Sequence, residues 1–382
     1  MDILWKGYCG KQHSWSVCAQ NISRYLKKYN HNVDMFSTNG IEYFPNDLKD
    51  NLIGYFLDTK NKIKDQIVKD RKIIGNVPKE KYDMQLTYSA MNNWEQCLQY
   101  GKTNRFAIWN YDGSFIPRGW AKYYRNCDMI LPSSEFSKNV FLKNNIPESV
   151  MKVIPHGVND EFLIDSSDVY PIETNRKYKF LINIAQLHTR KNIDGILKAW
   201  GKAFNSKDDV VLVAKVNIKN PSYPFEINWK DYLSNMIKKY PNHAPIIVID
   251  KFIPNIASLY RACDIHLSLS HVECFHIPSL ESMILGKLTI ASNYGGNIDF
   301  MNNENSLLIN GKICQAPLNY QYWEPREDAE MFQPDIVHAV DTMRYAVSNY
   351  NELVNKFKPN MLQLKNTYTW NNVAQQILEL AR

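Results

Sequence analysis

Eight residues of this chain occur twice. Tyr124-Arg125-Asn126-Cys127-Asp128-Met129-Ile130-Leu131 returns as Tyr260-Arg261-Ala262-Cys263-Asp264-Ile265-His266-Leu267, identical at five of eight positions. Each copy reads as a helix end passing through Cys-Asp into a short apolar strand. Serines follow each strand, Ser133–Ser134 and Ser270, just before the next helix. Repetition of one helix–strand passage predicts equivalent βα units in two similar α/β domains. The length of 382 residues agrees, at roughly 100–200 residues per domain.

The rest of the chain alternates in the same way. Asp2–Trp5 reads as a strand, Gly7–His13 as a glycine-containing loop, Ser14 to Lys28 as an amphipathic helix and Val33–Phe36 as the next strand, a βαβ opening. Gly7 and Gly10 either let the backbone approach a ligand or form a plain turn. Lys60, Lys62, Lys64, Lys69, Arg71 and Lys72 are expected on one basic helical face, solvated in the simpler reading and membrane-attached in the other. Strands follow at Asp83–Tyr88 and Arg105–Asn110. After a polar stretch, Asp165–Lys177, come strands at Phe180–Ile184, Val210–Lys215 and Ile246–Asp250, with helices at Asp231–Tyr240 and Asn255–Arg261.

Chemistry concentrates in HVECFHIPSLESMILGK, residues 271–287. Asp264–Ser270 before it reads as a strand, and Ser279–Leu285 as a short helix. Pro278 suits a first helical turn, where its missing N–H would be unpaired anyway. The free amides of that turn carry the positive end of the helix dipole and make an anion site. Glu273 precedes this turn and Glu281 stands on the helix behind it. Arg190 and Lys191 follow the strand at 180–184, near a helix start, where cations oppose the dipole unless an anion joins them.

These residues resemble the retaining GT-B glycosyltransferases of family four. The signature is Glu273 and Glu281 with seven residues between them, followed by a short helix and Gly286. The resemblance implies that Glu273 meets donor-sugar hydroxyls, Glu281 the ribose, and the backbone at Cys274, Phe275, His276 and Ile277 the diphosphate. It gives Lys191 to the diphosphate as well, with Arg190 beside it and Gln186 where the family has arginine. Cys274 and His276 replace glycines that flank the phenylalanine, so His276 either narrows the donor pocket or adds a hydrogen bond. WNYDGSFIPRGW, residues 109–120, is similar to a cleft-facing family segment, with Tyr111 and Asp112 at its key positions. Glu273 and Asp112 are the residues expected at the reaction centre. VIPHGVN, residues 153–159, resembles the family's hinge, and residues 367–381 its last helix.

The implied fold is α/β: two Rossmann-like doubly wound domains facing a central cleft. Residues 1–157 would bind the acceptor, 158–365 the nucleotide sugar, and 366–382 would form a helix crossing back to the first domain. The implied reaction moves a sugar from a UDP- or GDP-sugar to a glycan, lipid-linked or small-molecule acceptor with retention, and needs no cofactor. No Asp-x-Asp occurs, so protein cations rather than a metal are expected on the diphosphate. A nucleotide-sugar epimerase or hydrolase on this fold, or a non-catalytic nucleotide-sugar binder, are the other readings.

Composition narrows the partners. Net charge is +6, from 45 basic and 39 acidic residues, too mild to call for nucleic acid but compatible with an anionic small ligand or a weak peripheral membrane contact. Seven scattered cysteines without a Cys-x-x-Cys pair argue against a disulfide framework or zinc site. With no signal-like start and no long apolar run, a cytoplasmic location is expected.

Overall fold

The computed structural model describes residues 1–11, 14–63, 66–78, 82–101, 103–184, 188–216, 229–318, 324 and 326–381. They form two compact units, one of residues 1–111, 115–157 and 368–382, the other of residues 112–114 and 158–367.

The first unit begins with β1 (Asp2–Gly7), α1 (Ser14–Lys28), β2 (Asn32–Ser37), β3 (Leu52–Ile63), β4 (Gln66–Gly75) and β5 (Met84–Tyr88). It continues with α2 (Trp94–Cys97), β6 (Arg105–Ile108), β7 (Met129–Leu131) and α3 (Glu135–Lys143). The sheet order is β4-β3-β2-β1-β5-β6-β7, parallel except for the β3–β4 hairpin. β5 is buried along its whole length and β1 beyond Asp2, so that even Gln85, Thr87 and Lys6 on them are buried. α3 starts where the Ser134 hydroxyl accepts from the Ser137 amide, with Glu135 in its first turn and Lys143 in its last.

The hairpin corrects one expectation. Lys60, Lys62, Lys69, Arg71 and Lys72 lie on antiparallel strands, with Lys60 opposite Lys69 and Asp58 opposite Arg71, and do not form a helical face. Lys64 lies outside the described residues. The basic residues at 60 and 62, and at 69 and 71, are spaced by two, which is the strand period.

The second unit contains α4 (Asp160–Leu163), β8 (Tyr178–Ile184), α5 (Ile193–Ala203), β9 (Val210–Val216), α6 (Trp229–Lys239) and β10 (Ile246–Ile249). Then come α7 (Ile256–Ala262), β11 (Ile265–Ser268), α8 (Ile277–Ile284), β12 (Leu288–Ser292) and β13 (Leu307–Ile309). β14 (Gly311–Gln315) and β15 (Glu330–Pro334) make a separate antiparallel pair, before α9 (Ile336–Ser348) and α10 (Tyr350–Thr367). The main sheet runs β10-β9-β8-β11-β12-β13 and is parallel throughout. Leaving aside β4, both units therefore have the 3-2-1-4-5-6 strand order of the Rossmann fold.

That order overturns the expected equivalence of the repeated octapeptide. Its first copy leads into β7, the last strand of its sheet, whereas its second leads into β11, the fourth strand of the other. What recurs is a local clamp. The amide of Asp128 donates to the Arg105 carbonyl while its carboxylate accepts from the Arg105 amide at 2.9 Å. Asp264 does the same to Lys179, with the carboxylate contact at 2.8 Å. In each case one aspartate ties its strand to the start of a parallel neighbour.

The last helix, α11 (Trp370–Leu380), belongs to the first unit. The Tyr29 hydroxyl, just after α1, donates to Asn371 Oδ1 at 3.0 Å. Gly157 permits the approach, because a β-carbon there would stand 2.3 Å from the Trp370 nitrogen. No described helix is long and apolar enough to cross a membrane.

Candidate functional site

In the second unit the strand order reverses between β8 and β11, so the loops leaving their carboxyl ends meet, as ligand-binding loops do in α/β sheets. Asn192 fastens them. It caps α5 in the left-handed region (φ 50°), its side chain accepting from the Gly195 amide and donating to the Leu269 carbonyl at 2.8 Å. The His271 amide also donates to the Arg190 carbonyl. Arg190 and Lys191 are thereby fixed beside Glu273.

Glu273 is 6% exposed and is the hub of the site. Its Oε1 accepts from Lys191 Nζ at 2.6 Å and from the Ser270 hydroxyl at 2.8 Å, and its Oε2 accepts from Arg190 Nη1 at 2.8 Å. Burial alone would raise this carboxyl, but the charges of Arg190 and then Lys191 overcome it and hold it well below the usual carboxylate range. Arg190 also pairs with Asp112 Oδ2 at 2.9 Å. Burial works against the guanidinium charge, and Asp112 and Glu273 more than restore it. The anions that two bases near a helix start require are thus two carboxylates of the chain itself.

Asp112 groups with the second unit, not with the first, where the sequence reading put it. Its Oδ1 accepts from the Cys274 amide at 2.8 Å, so that amide is already engaged. The Phe275 ring is buried against Phe300, with centroids 5.4 Å apart, leaving only its backbone to face a ligand. Ile277 opens α8, with Pro278 in the first turn, and Gly286 at φ +70° follows its end. His276 caps α8 at φ 74°, buried, with Nδ1 2.6 Å from the Ser279 hydroxyl and Nε2 4.0 Å from Glu273 Oε1.

Glu281 lies on α8, 8% exposed. Burial pushes its carboxyl up to about 8, against a hydrogen bond from the Tyr260 hydroxyl that favours ionisation. Asn183 donates to that same hydroxyl at 2.9 Å. Gln186 lies outside the described residues. Gly10, in the first unit, is required for packing: a β-carbon there would meet the Gly40 carbonyl at 1.9 Å, so what approaches it is the chain's own backbone. Tyr111 is buried in the aromatic core beside Trp109. Sequence reasoning missed the roles of Ser270, Asn192 and Tyr260. Ser270 was legible only as a strand-end serine, and an asparagine before a helix was the available signal for Asn192. Among the described residues no cluster of three His, Cys, Asp or Glu side chains is placed to hold a metal ion.

Residues 168–323 match the family model of glycosyl transferases group 1. An uncharacterized glycosyltransferase of Methanocaldococcus jannaschii is 23% identical over 267 residues, 67% of this chain and 60% of that protein's length. The crystal structure of a glycosyltransferase from Rickettsia africae superposes with a TM-score of 0.68 at 18% identity, covering 100% of this chain and 97% of that one. Anabaena HepE in complex with UDP-glucose gives a TM-score of 0.67 at 14% identity, covering 100% and 99%. Residues 168–323 thus carry the likeness to glycosyl transferases group 1, and the fold is that of the solved glycosyltransferases.

Proposed function

We propose that the chain transfers a sugar from a nucleoside diphosphate sugar, carrying UDP or GDP, to a glycan, lipid-linked or small-molecule acceptor, with retention of anomeric configuration. One observation carries the reading: Lys191 and Arg190 converge on Glu273 at the switch point of the second unit, where the amino end of α8 also arrives. Breaking the anomeric C–O bond builds negative charge on the diphosphate and positive charge on the sugar ring. In this reading the diphosphate takes Lys191, and Arg190 in part, from the carboxylates that hold them. Fixed cations of this kind stabilise a leaving group without reorganisation. Glu273 stays ionised beside the sugar and favours the developing positive charge. Retention follows if a leaving-phosphate oxygen accepts the acceptor's proton on the face it departs from. Glu281, beside the Tyr260 hydroxyl, suits a ribose. The complex of HepE with UDP-glucose on the same fold supports the donor class.

The assignment of the first unit to the acceptor and the second to the donor belongs to the same proposal, as does independence from metal. The test is incubation with UDP-glucose, UDP-galactose, UDP-N-acetylglucosamine and GDP-mannose, scoring free nucleotide by chromatography. Release from at least one donor, lost in Lys191→Ala, is expected. No release from any of them, with or without oligosaccharide acceptors, would refute it.

A further inference from the structure

Among the described residues, five that are not glycine have positive φ: Asn30, Asn104, Asn145, Asn192 and His276. Four are asparagines, whose short amides tolerate the left-handed region. The fifth carries an imidazole and is 7% exposed. Backbone strain at such a site persists only where the surroundings enforce it. Here Ser279 holds the ring at Nδ1, and the His266 ring packs beside it with centroids 5.8 Å apart.

The surroundings also fix where the ring's hydrogen lies. Burial lowers the imidazole to about 4, against the charge of Glu273, so the ring is neutral near pH 7 and carries one hydrogen. A lone pair on Nε2 would face the Glu273 carboxylate, whereas an N–H there is attracted to it. The Ser279 hydroxyl therefore donates to Nδ1, and Nε2 carries the hydrogen. Among the described residues Nε2–H has no acceptor within hydrogen-bond reach, and Glu273 Oε1 stands 4.0 Å away.

We infer that His276 and Glu273 together read one hydroxyl of the donor sugar, so that the chain selects a sugar left unsubstituted at that position. A hydroxyl oxygen can accept from Nε2–H and donate to Oε1 at about 2.7–3.0 Å each, which spans the gap. An ether or acyl oxygen cannot donate, and a deoxy carbon does neither. Oε1 now accepts from Lys191 and Ser270. When the diphosphate takes Lys191, the acceptor position it leaves on Oε1 passes to the hydroxyl, coupling sugar recognition to diphosphate recognition. The inference rests on the donor class argued above.

The test is calorimetry on the wild-type chain and on His276→Gly, a replacement that suits φ 74°. UDP and GDP are titrated first, and binding of neither refutes the donor class itself and this inference with it. The glucose and mannose conjugates of the nucleotide that binds follow, with their 2-, 3-, 4- and 6-deoxy analogues. One deoxygenation should weaken wild-type binding about 10- to 100-fold and His276→Gly about 3- to 10-fold less than that, since Glu273 still accepts from the hydroxyl there. Equal losses in both proteins, or no discrimination at any position, overturn the inference while leaving the donor class standing. A measurement independent of the variant is ¹⁵N NMR of the wild-type imidazole. Hydrogen on Nε2 is expected, and hydrogen on Nδ1 overturns the inference.

Discussion

Glu273→Gln should make the protein less stable and yet bind nucleotide more tightly. Arg190, Lys191, Asp112 and Glu273 are two bases and two acids, formally neutral together. The amide leaves one positive charge uncompensated. One charge about 6 Å from a phosphate at an effective dielectric near 20 is worth about 2.8 kcal/mol. Solvent reaching the partly exposed bases reduces this to about half, or roughly tenfold in UDP affinity. Removing one partner of a buried pair costs about 3–5 kcal/mol, and the low end applies because Arg190 keeps Asp112. At about 2–4 °C per kcal/mol for domains of this size, Tm should fall by about 6–12 °C. Transfer should drop at least about 100-fold, because the carboxylate that favours the charged sugar ring is gone. Calorimetry with UDP, thermal melting and a turnover assay on the same preparation check all three. If UDP affinity falls together with activity, the carboxylate does not compete with the diphosphate for these bases, and the charge argument fails.

Other substitutions probe neighbouring parts of the site. Glu281→Ala should weaken UDP or GDP binding roughly 2- to 10-fold near pH 7, because hydrogen bonds to its mostly protonated carboxyl contribute about 0.5–1.5 kcal/mol; unchanged affinity in calorimetry removes it from the ribose. Glu281 also sets a pH signature. Its folded value of about 8 lies above its ordinary value, so between about 4.5 and 8 the folded chain binds the extra proton and stability falls as pH rises. Denaturant midpoints should show that slope reduced in Glu281→Gln, and identical profiles would refute the assignment. Asp112→Asn should lower transfer and donor hydrolysis together, since Asp112 holds Arg190 and the Cys274 amide; a selective loss of transfer would instead assign it to the acceptor. Turnover should survive EDTA and fall about 10²–10³-fold in Lys191→Ala; activity abolished by EDTA and restored by Mn²⁺ would contradict this.

The parts of the architecture that were legible are those written in local pattern. The strand runs of β1, β5, β8 and β9 and the proline-started α8 follow from spacing and composition, whereas Glu273 and Glu281 stand out through resemblance to a family signature. What was not legible depends on pairing at a distance. Lys60 and Lys69 become neighbours only through the hairpin register, and a basic run on its own fits helix or strand. The repeated octapeptide suggested equivalent units because sequence records the aspartate clamp but not the strand's place in the sheet. Asp112 could be read as a strand-end ligand residue, yet its partners Arg190 and Cys274 lie far along the chain. The same holds for Glu273, whose bonds to Arg190 and Lys191 convert an expected pair of helix-start cations into a charge-balanced cluster.

A nucleoside diphosphate is expected to take Lys191 from Glu273 at the switch point of the second unit. The most direct measurement is a crystal structure of the chain with bound UDP, or with GDP if that binds more tightly. Lys191 Nζ should then lie about 2.7–2.9 Å from a phosphate oxygen, no longer bonded to Glu273 Oε1, with the ribose hydroxyls at Glu281. A nucleotide bound elsewhere, or one bound here with the Lys191–Glu273 pair intact, would contradict it.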